Sequence, residues 1–557
     1  MSLSRVFVFL LCLPGLLLAN ERPPAAAIAS AHPLASQAGM AILAQGGNAF
    51  DAAIAVSAVL AVVEPYGSGM GGGGFWLLHR ASDGKDIMID GRETAPLAAH
   101  RDMYLDAQGE VIPGLSMNGP LAAGIPGQAA ALVHLAEHYA RLPLRTSLAP
   151  AIQHAREGVA VGESYRRMAG FRLEALRAWP ETAAIFLHNG EVPAAGHRLV
   201  QTDLAETLSR LAENGLDGFY RGDTAKAVLT AMERHGGIWS QADFDSYRII
   251  EREPIRSHYQ GHEIISAAPP SSGGVALATI LHILAQFPLD ELDEVARTHL
   301  LAEAMRRAYR DRAQYLGDTD FVEVPLERLS HPHYGAGLAA AIRLDRATPS
   351  SDLPGVAAAP GGTHTSHFSV LDSEGNYVAA TLSINYPFGS GFVVPGTGLL
   401  LNNEMDDFSS RPGSPNAYGL VGAEANAIAP GKRMLSSMSP SFVRNPDSLV
   451  VLGTPGGSRI ISMVLQGILA HIDGAPLEAW IGRPRVHHQY LPDKLYLEPD
   501  ALDEETRLAL IALGHQLEPL ASPWGNMQAL LWDKRTAQVS AASDPRGGGQ
   551  ALVIPNK

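Results

Sequence analysis

Thr365 is a residue whose surroundings suggest chemistry. It opens the run TSHFSVLDSEGNYVAATLSIN, in which Ser366, Phe368 and Val370 share one face of an extended segment and Thr365, His367 and Ser369 the other. Asp372-Ser373-Glu374-Gly375-Asn376 is turn chemistry, because Gly and Asn tolerate the backbone angles of a tight reversal. The return run puts Val378, Ala380, Leu382 and Ile384 on one side and Thr381, Ser383 and Asn385 on the other, so a hairpin with a greasy and a hydroxyl-rich face is expected. The stretch before it, 343–362, is rich in Pro, Ala, Gly and Ser and resists regular structure. A pliant leader feeding a polar-faced strand that starts at a hydroxyl residue suggests a chain built to be cut there. A purely structural hairpin is the alternative. If cut between His364 and Thr365, the new chain start would carry an α-amine of pKa ~7.7–8.0, the base that a threonine hydroxyl needs to become a nucleophile.

The elements that would position this hairpin are legible in outline. Leu34 to Gln45 and Ala49 to Val63 have the spacing of helices, with Asn48 as N-cap of the second. Helical spacing recurs over 126–139, 147–157, 201–214, 225–234 and 274–286. The longest such stretch, 293–316, has interleaved charges expected to form a wet face. Residues 75–78, 264–268, 449–452, 529–532 and 551–554 read as strands, and a helix should start at Ile460. The glycine run 67–74 precedes a strand and lacks the Lys-Ser/Thr of a phosphate loop, so it signals a backbone passing close to something bulky. Helices and strands in separate runs imply an α+β layered fold.

Composition narrows the class. The 557 residues are 46% hydrophobic and 18% charged, a globular balance, and the formal charge of −15 argues against a nucleic-acid partner. Residues 1–19, with Arg5 before an apolar run broken by Pro14-Gly15, have the layout of a signal peptide and imply an exported, periplasmic or secreted protein. Cys12, the only cysteine, falls in that leader, so disulfides and thiolate metal sites are not expected. Arg485-Val-His-His-Gln489 could suggest a metal, but adjacent histidines on a strand point apart and are read as structural.

The strings THTSHFSV, TLSINYPFGSG, LLLNNEMDDFS, KRMLSSMSP and GTPGGSR, with GGNAFDAAIA, GSGMGGGGF, DGRETAP, GIPG and PPSSGG upstream, resemble the gamma-glutamyltransferases. These are N-terminal-nucleophile hydrolases, and the resemblance spans nearly the whole chain after the leader. It implies a four-layer αββα sandwich assembled from two fragments of one precursor, a large subunit 20–364 and a small subunit 365–557. It implies Thr365 as nucleophile, first against the His364 carbonyl and then against the γ-carbonyl of a glutamyl donor. Ser383 would orient it. A zwitterionic glutamyl head needs a guanidinium and carboxylates in one site. By resemblance Arg92 takes the α-carboxylate with Ser436 and Ser437, while Asn385, Glu404 and Asp407 take the ammonium. The amides of Gly456-Gly457 form a nest for the tetrahedral oxyanion. Residues 411–430 resemble a lid over the pocket, with Tyr418 as its gate. Ser366, Ser383 and Met434 depart from the commoner residues of the family.

The resemblance therefore implies a self-cleaving transferase and hydrolase of glutathione and other γ-glutamyl donors, passing the acyl group to water, amino acids or dipeptides, with no cofactor and no metal. A cephalosporin or glutaryl acylase of the same fold is the near alternative. A non-catalytic periplasmic binder of amino acids or peptides is the alternative from another class.

Overall fold

The computed structural model describes residues 22–355, 365–411 and 413–556. The expected signal segment with Cys12, and His364 on the far side of the expected cut, lie outside the described residues.

Two antiparallel sheets face each other, each backed by helices. The first has seven strands, in the order Gln550–Pro555, Ala25–Ser30, Ser366–Leu371, Tyr377–Ser383, Gly73–Arg80, Lys85–Gly91 and Ile250–Arg252. The second has six, in the order Gln538–Ser543, Gln528–Asp533, Ser448–Gly453, Ser441–Arg444, His262–Ser266 and Ile255–Tyr259. Helices Pro33–Ala44, Ala49–Val63 and Gln128–His138 cover the outside of the first sheet, sharing a core with Phe368, Val370, Val378, Ala380 and Leu382. Helices Gly273–Leu284, Glu294–Tyr315 and Ile460–Ile472 cover the second, in a core that also takes Leu371, Tyr377 and Ala379 from between the sheets. The layering is αββα, as expected.

The hairpin holds the centre of the first sheet. Its strands pair Leu382 with Ser366 and Thr381 with His367, a register that carries Ser383 to the level of Thr365. Asp372 closes the turn by accepting from the Glu374 and Asn376 amides, and Gly375 there has φ +93°. Both faces are buried. The hydroxyl-rich face lies against the second sheet rather than water, and its polar groups pair with each other. His367 Nδ1 is 2.8 Å from Thr381 Oγ1, and burial pushes its imidazole down to about 3, so it is neutral.

The helix starting at Ala49 is capped as expected: Asn48 Oδ1 accepts from the Phe50 and Asp51 amides while Asp51 Oδ2 accepts from the Asn48 amide. The glycine run does pass close to something, but that something is backbone. A Cβ on Gly71 would fall 2.2 Å from the Leu400 carbonyl oxygen, and one on Gly72 2.1 Å from that of Ser383. The wet face expected on the longest helix is wrong. Glu303, Arg306, Arg307, Asp311 and Arg312 of Glu294–Tyr315 are all buried. The charge of Glu303 survives burial because it is met: it takes Arg306, Arg307 and both the amide and hydroxyl of Thr348. Spacing alone cannot separate a charged face that meets water from one that meets partners distant in sequence.

Candidate active site

Thr365 stands at the mouth of the first sheet, where the strand-to-helix turn 453–459 of the second sheet reaches across. The Gly456 amide donates to Thr365 Oγ1 at 3.2 Å. Gly456 and Gly457 adopt φ +149° and +56°, conformations open to glycine. Ser383 Oγ accepts from the Asn385 amide at 2.7 Å, which shapes the bend after its strand and puts Asn385 at φ +70°.

One small cavity, of about 20 Å³, is lined by Thr365, Ser383, Asn385, Arg92, Asp407, Tyr418, Ser436, Ser437 and Gly457 among others. Nearly every residue the resemblance implied thus converges there. Two stand just outside the lining: Glu404, behind Arg92, and Gly456, which faces Thr365 from the other side. On that side Thr365 and Gly456 border an open groove of about 580 Å³ with Arg459, Trp524 and Asn526.

Arg92 is 1% exposed and held on every side. Nη1 donates to Glu404 Oε2 at 2.5 Å, Nη2 to Asp407 Oδ2 at 2.5 Å and Nε to the Met434 carbonyl at 3.3 Å. The planar fork of a guanidinium suits two carboxylates at once. Met434, a departure from the commoner residue, contributes through its backbone. Burial raises the carboxyls of Glu404 and Asp407 above the ordinary range, with Arg92 pulling them back down. Glu93, whose Oε2 lies 3.6 Å from Arg92 Nη1 with neither carboxylate oxygen hydrogen-bonded among the described residues, is raised well above that range by burial and by Glu404. Arg92, Glu404 and Asp407 by themselves carry one net negative charge when both carboxyls are ionised.

The serines are oriented by the protein. Ser436 Oγ accepts from the Met438 amide at 3.1 Å and Ser437 Oγ from Arg312 Nη2 at 3.2 Å, so each hydroxyl proton remains to be donated. The segment is fixed by Ser272, whose amide and hydroxyl both donate to the Ser436 carbonyl at 2.8 and 2.7 Å.

Tyr418 is 5% exposed and closes the cavity, its hydroxyl donating to the Asn385 carbonyl at 2.7 Å. Its loop is tied to the acidic run beneath it. Asn416 Nδ2 donates to Asp407 Oδ1 at 3.0 Å, and the Ala417 amide to Asp406 Oδ2 at 2.8 Å. His487 and His488 lie apart from the site, bonded to Ser462 and Gln489 and to Asp493 and Arg306 respectively. They fit the structural reading.

Sequence reasoning missed Glu64, whose Oε2 accepts from Ser366 Oγ at 2.7 Å one residue beyond Thr365. It missed Arg312, hidden in the face read as wet. A carboxylate closing an apolar helix, Ile54 to Val63, was the available signal for the first. Nothing local signalled the second.

A family model described as Gamma-glutamyltranspeptidase matches residues 35–554. The chain is 41% identical over 525 residues to the glutathione hydrolase proenzyme of Escherichia coli K12, covering 93% of this chain and 90% of that protein. It is 42% identical to the glutathione hydrolase proenzyme of Pseudomonas aeruginosa, covering 95% and 94%. Among solved structures, a cephalosporin acylase from Bacillus halodurans superposes with a TM-score of 0.83 at 28% identity, over 96% of both chains. The sandwich is that of the N-terminal-nucleophile hydrolases, and the chain belongs to the gamma-glutamyltranspeptidase family.

Proposed function

We propose that the protein is an exported precursor that cuts itself between His364 and Thr365 and then acts as a γ-glutamyltransferase and glutathione hydrolase. The observation that carries this reading is the sharing of one cavity by the Thr365 hydroxyl and the complement of a glutamyl head, Arg92, Asp407, Ser436 and Ser437.

In the first event Thr365 Oγ1 attacks the His364 carbonyl carbon. The C–N bond breaks as an ester forms, and the hydroxyl proton passes to the departing nitrogen. Water opens the ester, leaving a His364 carboxylate and a free Thr365 α-amine, with 20–364 and 365–557 as the two subunits of one folded heterodimer. In turnover that amine takes the Oγ1 proton as the oxygen attacks the γ-carbonyl of glutathione or another γ-glutamyl donor. The negative oxygen of the intermediate is received by the 456–457 amides, worth about 2.7–4 kcal/mol per donor in comparable sites. The leaving amine takes the proton and departs. Water, an amino acid or a dipeptide amine then attacks the Thr365 ester, restoring the hydroxyl. The open groove beside Gly456 is the route for leaving group and acceptor. The cavity has room for about one water molecule, so a donor enters only as Tyr418 swings aside, and its return shields the acyl-enzyme.

The likeness to a cephalosporin acylase favours a second reading, a glutaryl acylase. A glutaryl group has no ammonium, whereas the Arg92 cluster keeps an excess carboxylate to receive one. Hydrolysis of γ-glutamyl anilide should outrun that of glutaryl anilide by more than tenfold; the reverse order rejects the γ-glutamyl reading.

A further inference from the structure

The donor pocket has a charge problem that Arg92 alone does not solve. That guanidinium is already shared between Glu404 and Asp407. A carboxylate approaching the trio meets a net negative cluster, so a second cation beside Arg92 favours its recognition.

Arg312 is such a cation. It lies on the longest helix, is 5% exposed, and has no carboxylate within ion-pairing distance among the described residues. Its bonds go to two hydroxyls instead: Nε to Ser272 Oγ at 3.0 Å and Nη2 to Ser437 Oγ at 3.2 Å. Both lead to the site. Ser437 lines the cavity, and Ser272 passes the link on by donating to the Ser436 carbonyl. Asp407 attracts it only through space, and a buried guanidinium hydrogen-bonded to neutral groups makes physical sense where an anion arrives. Burial lowers its affinity for the proton to about 10, which leaves it charged at neutral pH.

We propose that Arg312 is a positioning residue for the donor's α-carboxylate: it turns the Ser437 hydroxyl toward the cavity and adds its positive charge to that of Arg92, which is shared with Glu404 and Asp407. This rests on the γ-glutamyl reading of the site.

The test compares Arg312→Gln, which keeps a hydrogen-bond donor and removes the charge, with Arg312→Lys, which keeps the charge and loses the fork. In the mature enzyme acting on γ-glutamyl anilide, Arg312→Gln should raise KM about tenfold with kcat within about threefold. Arg312→Lys should hold KM within about threefold of the parent. Equal KM in all three forms overturns the proposal, as does a loss confined to kcat or an equal loss in both variants. Failure of both variants to accumulate as cleaved enzyme also overturns it, since the role is then structural. The parent enzyme's preference for γ-glutamyl over glutaryl anilide, measured alongside, tells failure of this inference from failure of the γ-glutamyl reading.

Discussion

The Gly456 amide points at Thr365 Oγ1 across 3.2 Å, joining the residue just before a central strand of one sheet to the turn that leaves the other sheet. The proposed nucleophile and the charge it would create are thus served by different layers. Small shifts between the layers should therefore act on rate rather than on stability.

Gly457→Ala should lower kcat for γ-glutamyl anilide by about 10²-fold or more, the effect of misplacing an oxyanion donor. Its φ is +56°, and a Cβ would lie 2.5 Å from the Tyr418 ring, so both the nest and the gate must move. Steady-state kinetics on the cleaved enzyme check this; a kcat within threefold of the parent would contradict it.

Arg92→Lys should raise the donor KM by about tenfold or more, because a point charge cannot satisfy Glu404 and Asp407 in the geometry of a fork. Arg92→Met should further lower stability by about 3–5 kcal/mol, the cost of leaving buried carboxylates without their cation. Denaturant melts separate the two effects.

The contrast between Arg92 and Arg312 shows how far the chain could be read. Arg92 sits in a short motif whose neighbours announce it, and the hairpin's alternation puts Ser383 on the hydroxyl-rich face, with the strand register then bringing it level with Thr365. Pairing distant in sequence is what escaped. Arg312 meets Ser272 and Ser437, and Glu303 meets Thr348, through packing that a helical charge pattern does not encode. The glycine run was rightly read as a close approach, but its neighbour is the backbone at Leu400 and Ser383, visible only once the sheet exists.

Donor binding should strengthen as pH rises through the neutral range. Burial holds the Glu404 and Asp407 carboxyls above their ordinary range, and an ammonium is held only by their ionised forms. The stability these groups contribute has the opposite sign: it is full below the ordinary carboxyl range and lost as pH rises through the raised values. KM measured from about pH 5 to 9 should fall along this limb, and Glu404→Gln should move the limb to lower pH. A KM limb unmoved by that change would contradict the assignment.

Tyr418→Phe removes the hydroxyl's bond to the Asn385 carbonyl while keeping the ring, a loss of about 1 kcal/mol from the closed state. The gate should open more often, and the ratio of transfer to hydrolysis with glycylglycine as acceptor should fall severalfold. An unchanged product ratio would mean that the ring alone sets closure.

The most direct measurement is the amino-terminal sequence of the smaller fragment from purified active protein. The account predicts Thr-Ser-His-Phe, beginning at Thr365, and a single uncut band on a denaturing gel for Thr365→Ala. Active protein that remains one chain, or a fragment starting at any other residue, would contradict it.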